Sequence, residues 1–222
     1  MTTPLSIDFV SDIACPWCAV GLASLETALA RIGPDLDVKL RFQPFELNPQ
    51  MPAGGQDIGE HLAEKYGSTP EQQAQIRATI RQRGAEVGFA FKPEGRGRVY
   101  NTFDAHRLLT WAEAEGEGKQ HALKTAMLKA YHGEARNMES HEVLAGLASE
   151  AGLSIERARQ ILAGDEFVRE TREREAFYTG NGIHAVPSVI INNKHLIQGG
   201  QPPEAFERAL QQLAAEPAGL SA

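Results

Sequence analysis

The segment Ile7-Asp8-Phe9-Val10-Ser11-Asp12-Ile13-Ala14-Cys15-Pro16-Trp17-Cys18 decides the fold. It carries the only two cysteines of the 222-residue chain, three positions apart, between a short apolar run and the start of a helical pattern. A disulfide across so small a loop removes little chain entropy, about 2 kcal/mol against roughly 4.7 for a 100-residue loop, and makes a poor staple. Structural zinc takes four Cys or His ligands, and the seven histidines offer no closely spaced pair to complete a set. Two buried thiols acting as small apolar residues are the plain alternative. A C-x-x-C pair at a strand-to-helix junction points instead to reversible dithiol-disulfide chemistry.

Outward from this segment, Ile7, Phe9 and Val10 predict a strand and Ser11-Asp12 a turn. Leu22, Leu25, Leu29 and Ile32 recur at helical spacing, and Gly33-Pro34 ends that helix. Val38, Leu40 and Phe42 alternate with Lys39, Arg41 and Gln43, the pattern of a strand with one face buried. A β-α-β order predicts two parallel strands with a right-handed crossover.

After Phe45-Glu46-Leu47-Asn48-Pro49 the pattern becomes helical. Thr69-Pro70-Glu71-Gln72 reads as an N-cap, a proline at N1 and a glutamine at N3, which predicts a helix from Pro70 to Glu86. Further helices are expected over 102–115 and 119–132, from caps at Ser140 and Ser154, and from Asp165. Ser188 to Ile191, Asn192-Asn193 and Lys194 to Ile197 read as a hairpin, because asparagine tolerates the positive φ of tight turns. A last helix follows Pro202-Pro203, and the tail from Glu216 is expected to fray. There is no internal repeat and no Ser/Gly-rich linker. The expected organisation is one α/β domain, residues 1–47 plus 181–222, carrying a helical insertion over 48–180.

A hydrophobic content of 42% with 23% charged residues is that of a soluble globular protein, and no run of about 18 apolar residues predicts a membrane span. Met1 to Leu5 reads as neither a basic nor an apolar leader, and with no structural disulfide expected, a cytoplasmic location is the expectation. The net charge of −7 argues against a nucleic-acid partner. Arg96 and Arg98 stand in a Gly-rich stretch that reads as a solvated loop, with guidance of an acidic substrate as the other reading.

Four strings carry a resemblance: Ser11 to Cys18, Pro44-Phe45-Glu46-Leu47-Asn48-Pro49, Asn101-Thr102-Phe103-Asp104-Ala105-His106-Arg107, and Gly182-Ile183-His184-Ala185-Val186-Pro187-Ser188. With the element order, they resemble the thioredoxin fold of the DsbA family over nearly the full length, and within it the FrnE-type dithiol-disulfide isomerases. Relatives of that subgroup include 2-hydroxychromene-2-carboxylate isomerase and kappa-class glutathione transferase, which typically carry serine at the first cysteine position. Retention of both sulfurs favours disulfide exchange. The resemblance implies a thiol-disulfide oxidoreductase or isomerase acting on protein or small thiol and disulfide substrates, as a monomer or homodimer. It implies no metal and no required cofactor, with glutathione a candidate co-substrate. Two other readings stand beside it: a glutathione-dependent isomerase or transferase acting on a small aromatic metabolite, and a redox-switched holdase.

On this reading Cys15, at a helix N-terminus, is the accessible nucleophile, acidified by unpaired N–H groups and the helix dipole, and Cys18 is the more buried resolving thiol. Pro16 serves as a pre-set first helical residue. Trp17 is either packing or a wall for substrate. Sequence alone makes Pro187 an ordinary proline opening an edge strand. The resemblance implies a cis Val186-Pro187 bond facing the cysteines, with the Val186 backbone free to pair with an extended substrate. It also places Asn48, Asn101 and His106 along the cleft, and His184 close enough to modulate Cys15, although a lone helical histidine such as His106 is more often structural. Asp12 reads as a turn former, with a proton relay as the alternative. Gly199-Gly200-Gln201 reads as a turn, with a site for a glutathione carboxylate as the alternative.

Overall fold

The computed structural model describes residues 3–215; the tail from Glu216 lies outside them. Four strands form the main sheet: β1 (Thr3–Ser11), β2 (Leu36–Pro44), β5 (Ser188–Ile191) and β6 (His195–Gln198), in the order β2-β1-β5-β6. β2 runs parallel to β1, pairing Phe9 with Phe42, and β5 runs antiparallel to β1, pairing Phe9 with Val189. β5 and β6 form the antiparallel hairpin, with Asn192 and Asn193 at φ 54° and 55°. The sheet is therefore mixed, and Pro187 opens an interior strand, contrary to the edge-strand reading.

Alternation along β1 sends Leu5, Ile7 and Phe9 to one face, where α1 (Pro16–Ile32) and α9 (Pro203–Ala215) cover them. Cys15 and Cys18 belong to this core, together with Leu22, Leu25, Phe206 and Leu210. Asp8 points the other way and is 3% exposed. It accepts hydrogen bonds from Arg41 Nε at 2.9 Å and Gln43 Nε2 at 2.8 Å, so the charge on a buried strand is paired.

Between β2 and β5 the chain is mostly helical: α2 (Ile58–Tyr66), α3 (Pro70–Glu86), α4 (Phe103–Ala114), α5 (Lys119–Leu128), α6 (His141–Glu150), α7 (Ile155–Ala163) and α8 (Val168–Gly180). A two-residue antiparallel pair, β3 (Gln56–Asp57) with β4 (Arg98–Val99), lies in the same region. α3 has the boundaries predicted from its cap, with Thr69 and Gln72 forming a reciprocal capping box. Ser140 and Ser154 cap α6 and α7 as predicted.

Three local features depart from expectation. α2 was not anticipated, although Asp57 caps it by accepting from Gly59 N and Glu60 N. The helix expected over 119–132 changes at Lys129 to a π-helical turn running to Gly133. α8 starts at Val168 rather than at Asp165, because Phe167 stands at φ 61° and breaks the helical path.

α4 through α7 share a second core with Trp111, Leu123, Met127, Tyr131 and Leu144. Ile13 and Ala14 belong to that helical core, whereas Cys15 and Cys18 belong to the sheet core. The segment after β1 is thus clamped from both sides.

Candidate functional site

Cys15 is the N-cap of α1, with extended φ −91° and ψ 114°, and Pro16 occupies the first helical turn. No side chain caps this end, so the first helical N–H groups face the Cys15 sulfur and favour its anion. Cys18 sits one turn on, fully buried, and its N–H donates to Cys15 O at 3.1 Å. Both cysteines are free thiols. Cys15 is only 5% exposed, less than the accessible thiol expected from the sequence.

The two thiols diverge in acidity. A hydrogen bond from Cys18 is the main influence holding Cys15 below the ordinary thiol value. Burial and the charge of Asp12 oppose it, and the backbone N–H groups of Cys18 and Trp17 add to it. Burial, and then the Cys15 sulfur, push Cys18 well above that value. One sulfur is poised as a thiolate and the other holds its proton.

Facing the pair, the Val186-Pro187 peptide bond is cis. The Cys15 thiol donates to Val186 O at 3.6 Å. Pro187 is buried, and its own carbonyl accepts from Gly199 N at 2.8 Å, which ties the loop before β5 to the end of β6. Two glycines permit this approach. A Cβ on Gly21 would stand 3.0 Å from Pro187 Cγ, and one on Gly200 would stand 3.2 Å from both the backbone oxygen and the ring of Trp17. Gly200 therefore seats Trp17, and the half-buried indole is packed on one side.

Asp12 is fully buried and does more than turn the chain. Its Oδ1 accepts from Ala14 N at 2.9 Å and Thr102 Oγ1 at 2.8 Å, and its Oδ2 accepts from Leu47 N at 2.7 Å. Burial pushes its carboxyl up, yet His106 and these N–H groups outweigh burial and hold it below the usual value. His106 Nε2 lies 3.5 Å from Asp12 Oδ1, short of a formed hydrogen bond.

The remaining sequence candidates spread out. His106 is 1% exposed and meets Asp12 rather than open cleft. Asn101 half-buries and caps the start of α4, its Oδ1 accepting from Phe103 N at 2.9 Å. Asn48 Oδ1 accepts from Lys65 Nζ at 2.6 Å. His184 is exposed and, among the described residues, makes no side-chain hydrogen bond or ion pair.

Residues not singled out from sequence complete the surroundings. Tyr66, 61% exposed at the end of α2, has its phenol raised first by partial burial and then by the Cys15 charge. Beneath the site, buried His132 donates from Nε2 to Ile13 O at 2.9 Å, and burial drives its pKa well below the ordinary value. Lys124 is completely buried. Burial lowers its ammonium to about 8, against the opposing charges of Cys18, Asp12 and Cys15. Asp57, with Glu60 three residues on, was the legible sign of α2; buried Lys124 had no such sign.

Among the described residues no group of three or more His, Cys, Asp or Glu is arranged to hold a metal ion, and no helix is long and apolar enough to cross a membrane.

Residues 6–211 match the family model described as DSBA-like thioredoxin domain. The chain is 33% identical to a structure described as a "probable DsbA oxidoreductase" from Streptomyces coelicolor, with a TM-score of 0.89 over 98% of this chain and 93% of that one. It is 27% identical over 209 residues to the uncharacterised protein YwbO of Bacillus subtilis, covering 92% of this chain and 94% of YwbO. The fold is shared with the cytosolic disulfide reductase DsbM from Pseudomonas aeruginosa, solved with GSH, at 18% identity and a TM-score of 0.63 over 94% of this chain and 98% of that one.

Proposed function

We propose, since the chain belongs to the DSBA-like thioredoxin domain family, that it is a dithiol-disulfide oxidoreductase working through Cys15 and Cys18. The observation that carries this reading is the split in acidity between a sulfur at the α1 N-terminus and a buried partner one turn along. In the first exchange the Cys15 thiolate attacks one sulfur of a substrate disulfide, forming a mixed disulfide and releasing the other sulfur as thiolate. In the second, Cys18 attacks Cys15 Sγ, forming the Cys15–Cys18 bond and releasing the second substrate thiolate. Substrate gains two electrons and the protein loses them; the reverse sequence oxidises a dithiol.

Val186, whose carbonyl faces Cys15 across the cis bond, supplies a backbone acceptor for an extended substrate segment. Pro16 and Pro187 shape the two sides of the sulfur, and Trp17 stands beside it at the start of α1. We assign Asn48, Asn101 and His106 to holding the surrounding loops, since each already has an internal partner. We take 1–47 plus 181–222 as the redox unit, with 48–180 as its cover. A cytoplasmic setting, in which the dithiol is kept reduced by a small thiol such as glutathione, fits the DsbM likeness.

The test is turnover of insulin disulfides by wild type, Cys15→Ser and Cys18→Ser. Wild type should reduce insulin, Cys15→Ser should be inactive, and Cys18→Ser should accumulate a mixed disulfide. Suppression of insulin aggregation without reduction would favour a holdase instead. Activity on a small aromatic metabolite that needs glutathione and survives Cys18→Ser would favour an isomerase.

A further inference from the structure

Cys18 must lose its proton before it can attack, yet it is fully buried and its thiol is pushed toward the protonated form. Solvent has no open route to it, so the proton needs an acceptor inside the protein.

One face of α5 and the turn after it runs beneath residues 13–18. Gln120 exchanges two hydrogen bonds of 2.9 Å with Phe42 N and O on β2. Leu128 packs in the core that holds both cysteines. His132 donates to Ile13 O. Lys124 lies one helical turn from Gln120 and one from Leu128, on the same face and fully buried. Its Nζ has no hydrogen-bond partner among the described residues. A buried amine with no partner is costly to keep charged, and the exchange reading does not otherwise use it.

The charges acting on Lys124 are those of Cys18, Asp12 and Cys15, and Lys124 acts in turn on His132. Two of these groups are poor proton acceptors. Both carboxylate oxygens of Asp12 already accept hydrogen bonds, and its carboxyl is held in the ionised form. His132 spends Nε2 on Ile13 O, while its Nδ1 faces the Arg96 guanidinium at 3.2 Å. Cys15 is tied up in the mixed disulfide at this stage. Lys124 Nζ is the base that remains.

We propose that Lys124 is the proton acceptor for Cys18 in the second exchange, an inference that rests on the disulfide-exchange reading above. Nζ makes no hydrogen bond to Cys18 Sγ in the reduced protein, so the Cys18 S–H proton passes to the free amine of Lys124 through one bridging water as Cys18 Sγ bonds to Cys15 Sγ. The bond from Cys15 Sγ to the substrate sulfur breaks, and the substrate leaves as thiolate with the electron pair. The Lys124 ammonium, as buried as Cys18, then returns its proton to solvent in a separate step for which the exchange does not wait.

The test follows single turnover of the reduced full-length protein with bis(2-hydroxyethyl) disulfide, the mixed disulfide being acid-quenched and quantified by mass spectrometry. In wild type, resolution should rise with pH through an inflection near 8, where the amine becomes free. Lys124→Met and Lys124→Gln should form the mixed disulfide at wild-type speed, resolve it about 100-fold more slowly, and lose that inflection. Normal formation with unchanged resolution and an unchanged pH profile in both variants would overturn the Lys124 assignment alone. Recovery of the wild-type rate by glutamine would overturn it too, since an amide takes no proton. If neither variant folds by circular dichroism, a wild-type profile without the inflection overturns it. Wild type that forms no mixed disulfide at all sinks the exchange reading as well.

Discussion

Thr102 Oγ1 donates to Asp12 Oδ1 at 2.8 Å, joining two residues 90 positions apart in sequence and both buried. This bond fastens the start of α4 to the segment that carries the cysteines. Asp12 thus connects the helical region to the sulfur chemistry, and its charge is one of the forces acting against the Cys15 thiolate.

Replacing Asp12 by asparagine should therefore have two opposite effects. Removal of the charge makes Cys15 more acidic, so the midpoint of its iodoacetamide reactivity against pH moves down. Stability falls by about 1–3 kcal/mol in urea titration, because an amide cannot accept from Ala14, Leu47 and Thr102 together. An unmoved midpoint would remove Asp12 from the electrostatics of the site. The folded carboxyl is more acidic than the unfolded one, so its contribution is present above the ordinary value of 3.8 and is lost as pH falls through its folded pKa. The stability gap between wild type and Asp12→Asn should accordingly narrow in acid.

Cys18→Ala should raise the alkylation midpoint of Cys15, because the hydrogen bond from Cys18 is the leading influence that lowers it. Cys18→Ser, which keeps a donor, should raise it less. Equal shifts in both variants would show that the helix terminus, not the neighbouring donor, sets the acidity.

Lys124→Met should be more stable than wild type at neutral pH. The folded amine has a pKa of about 8 against an ordinary 10.5, so in this window the unfolded chain holds more protons and stability rises with pH. The penalty is full below pH 8, on the order of 3 kcal/mol, and has gone once pH passes the unfolded value. Chemical denaturation at neutral and alkaline pH checks this: a wild type that matches the methionine variant at neutral pH would contradict it.

Gly21→Ala tests the contact with Pro187. Helix propensity alone favours alanine by up to about 1 kcal/mol. A methyl only 3.0 Å from the proline ring reverses that preference, at about 1–3 kcal/mol for overpacking, so the melting temperature should fall. Turnover should drop by about tenfold as the Val186 carbonyl shifts against Cys15. A variant that melts higher and turns over normally would show that the proline yields without cost.

Features fixed by local chemistry were legible in the sequence. The capping box at Thr69 set the start of α3, Ser140 and Ser154 set α6 and α7, and paired asparagines set the hairpin. The C-x-x-C spacing placed Cys15 at a helix N-terminus for the same reason. Features set by distant partners were not legible. Asp12 read as a turn former because the Thr102 and Leu47 donors arrive from other elements. Lys124 is indistinguishable in sequence from a solvated lysine, and only the packing of α5 beneath the cysteines buries it. His106 read more readily as a structural histidine than as a cleft residue, but its partner Asp12 was not legible.

The clamping of residues 13–18 between two cores bears on any attempt to shorten the protein. Deleting the 48–180 stretch and resealing the ends would strip the floor from under the cysteines: Thr102, Gln120, Lys124, Leu128 and His132 all come from that stretch. The trimmed molecule would expose Cys18 to water and bring its reactivity close to that of Cys15, turning a directional pair into two interchangeable thiols.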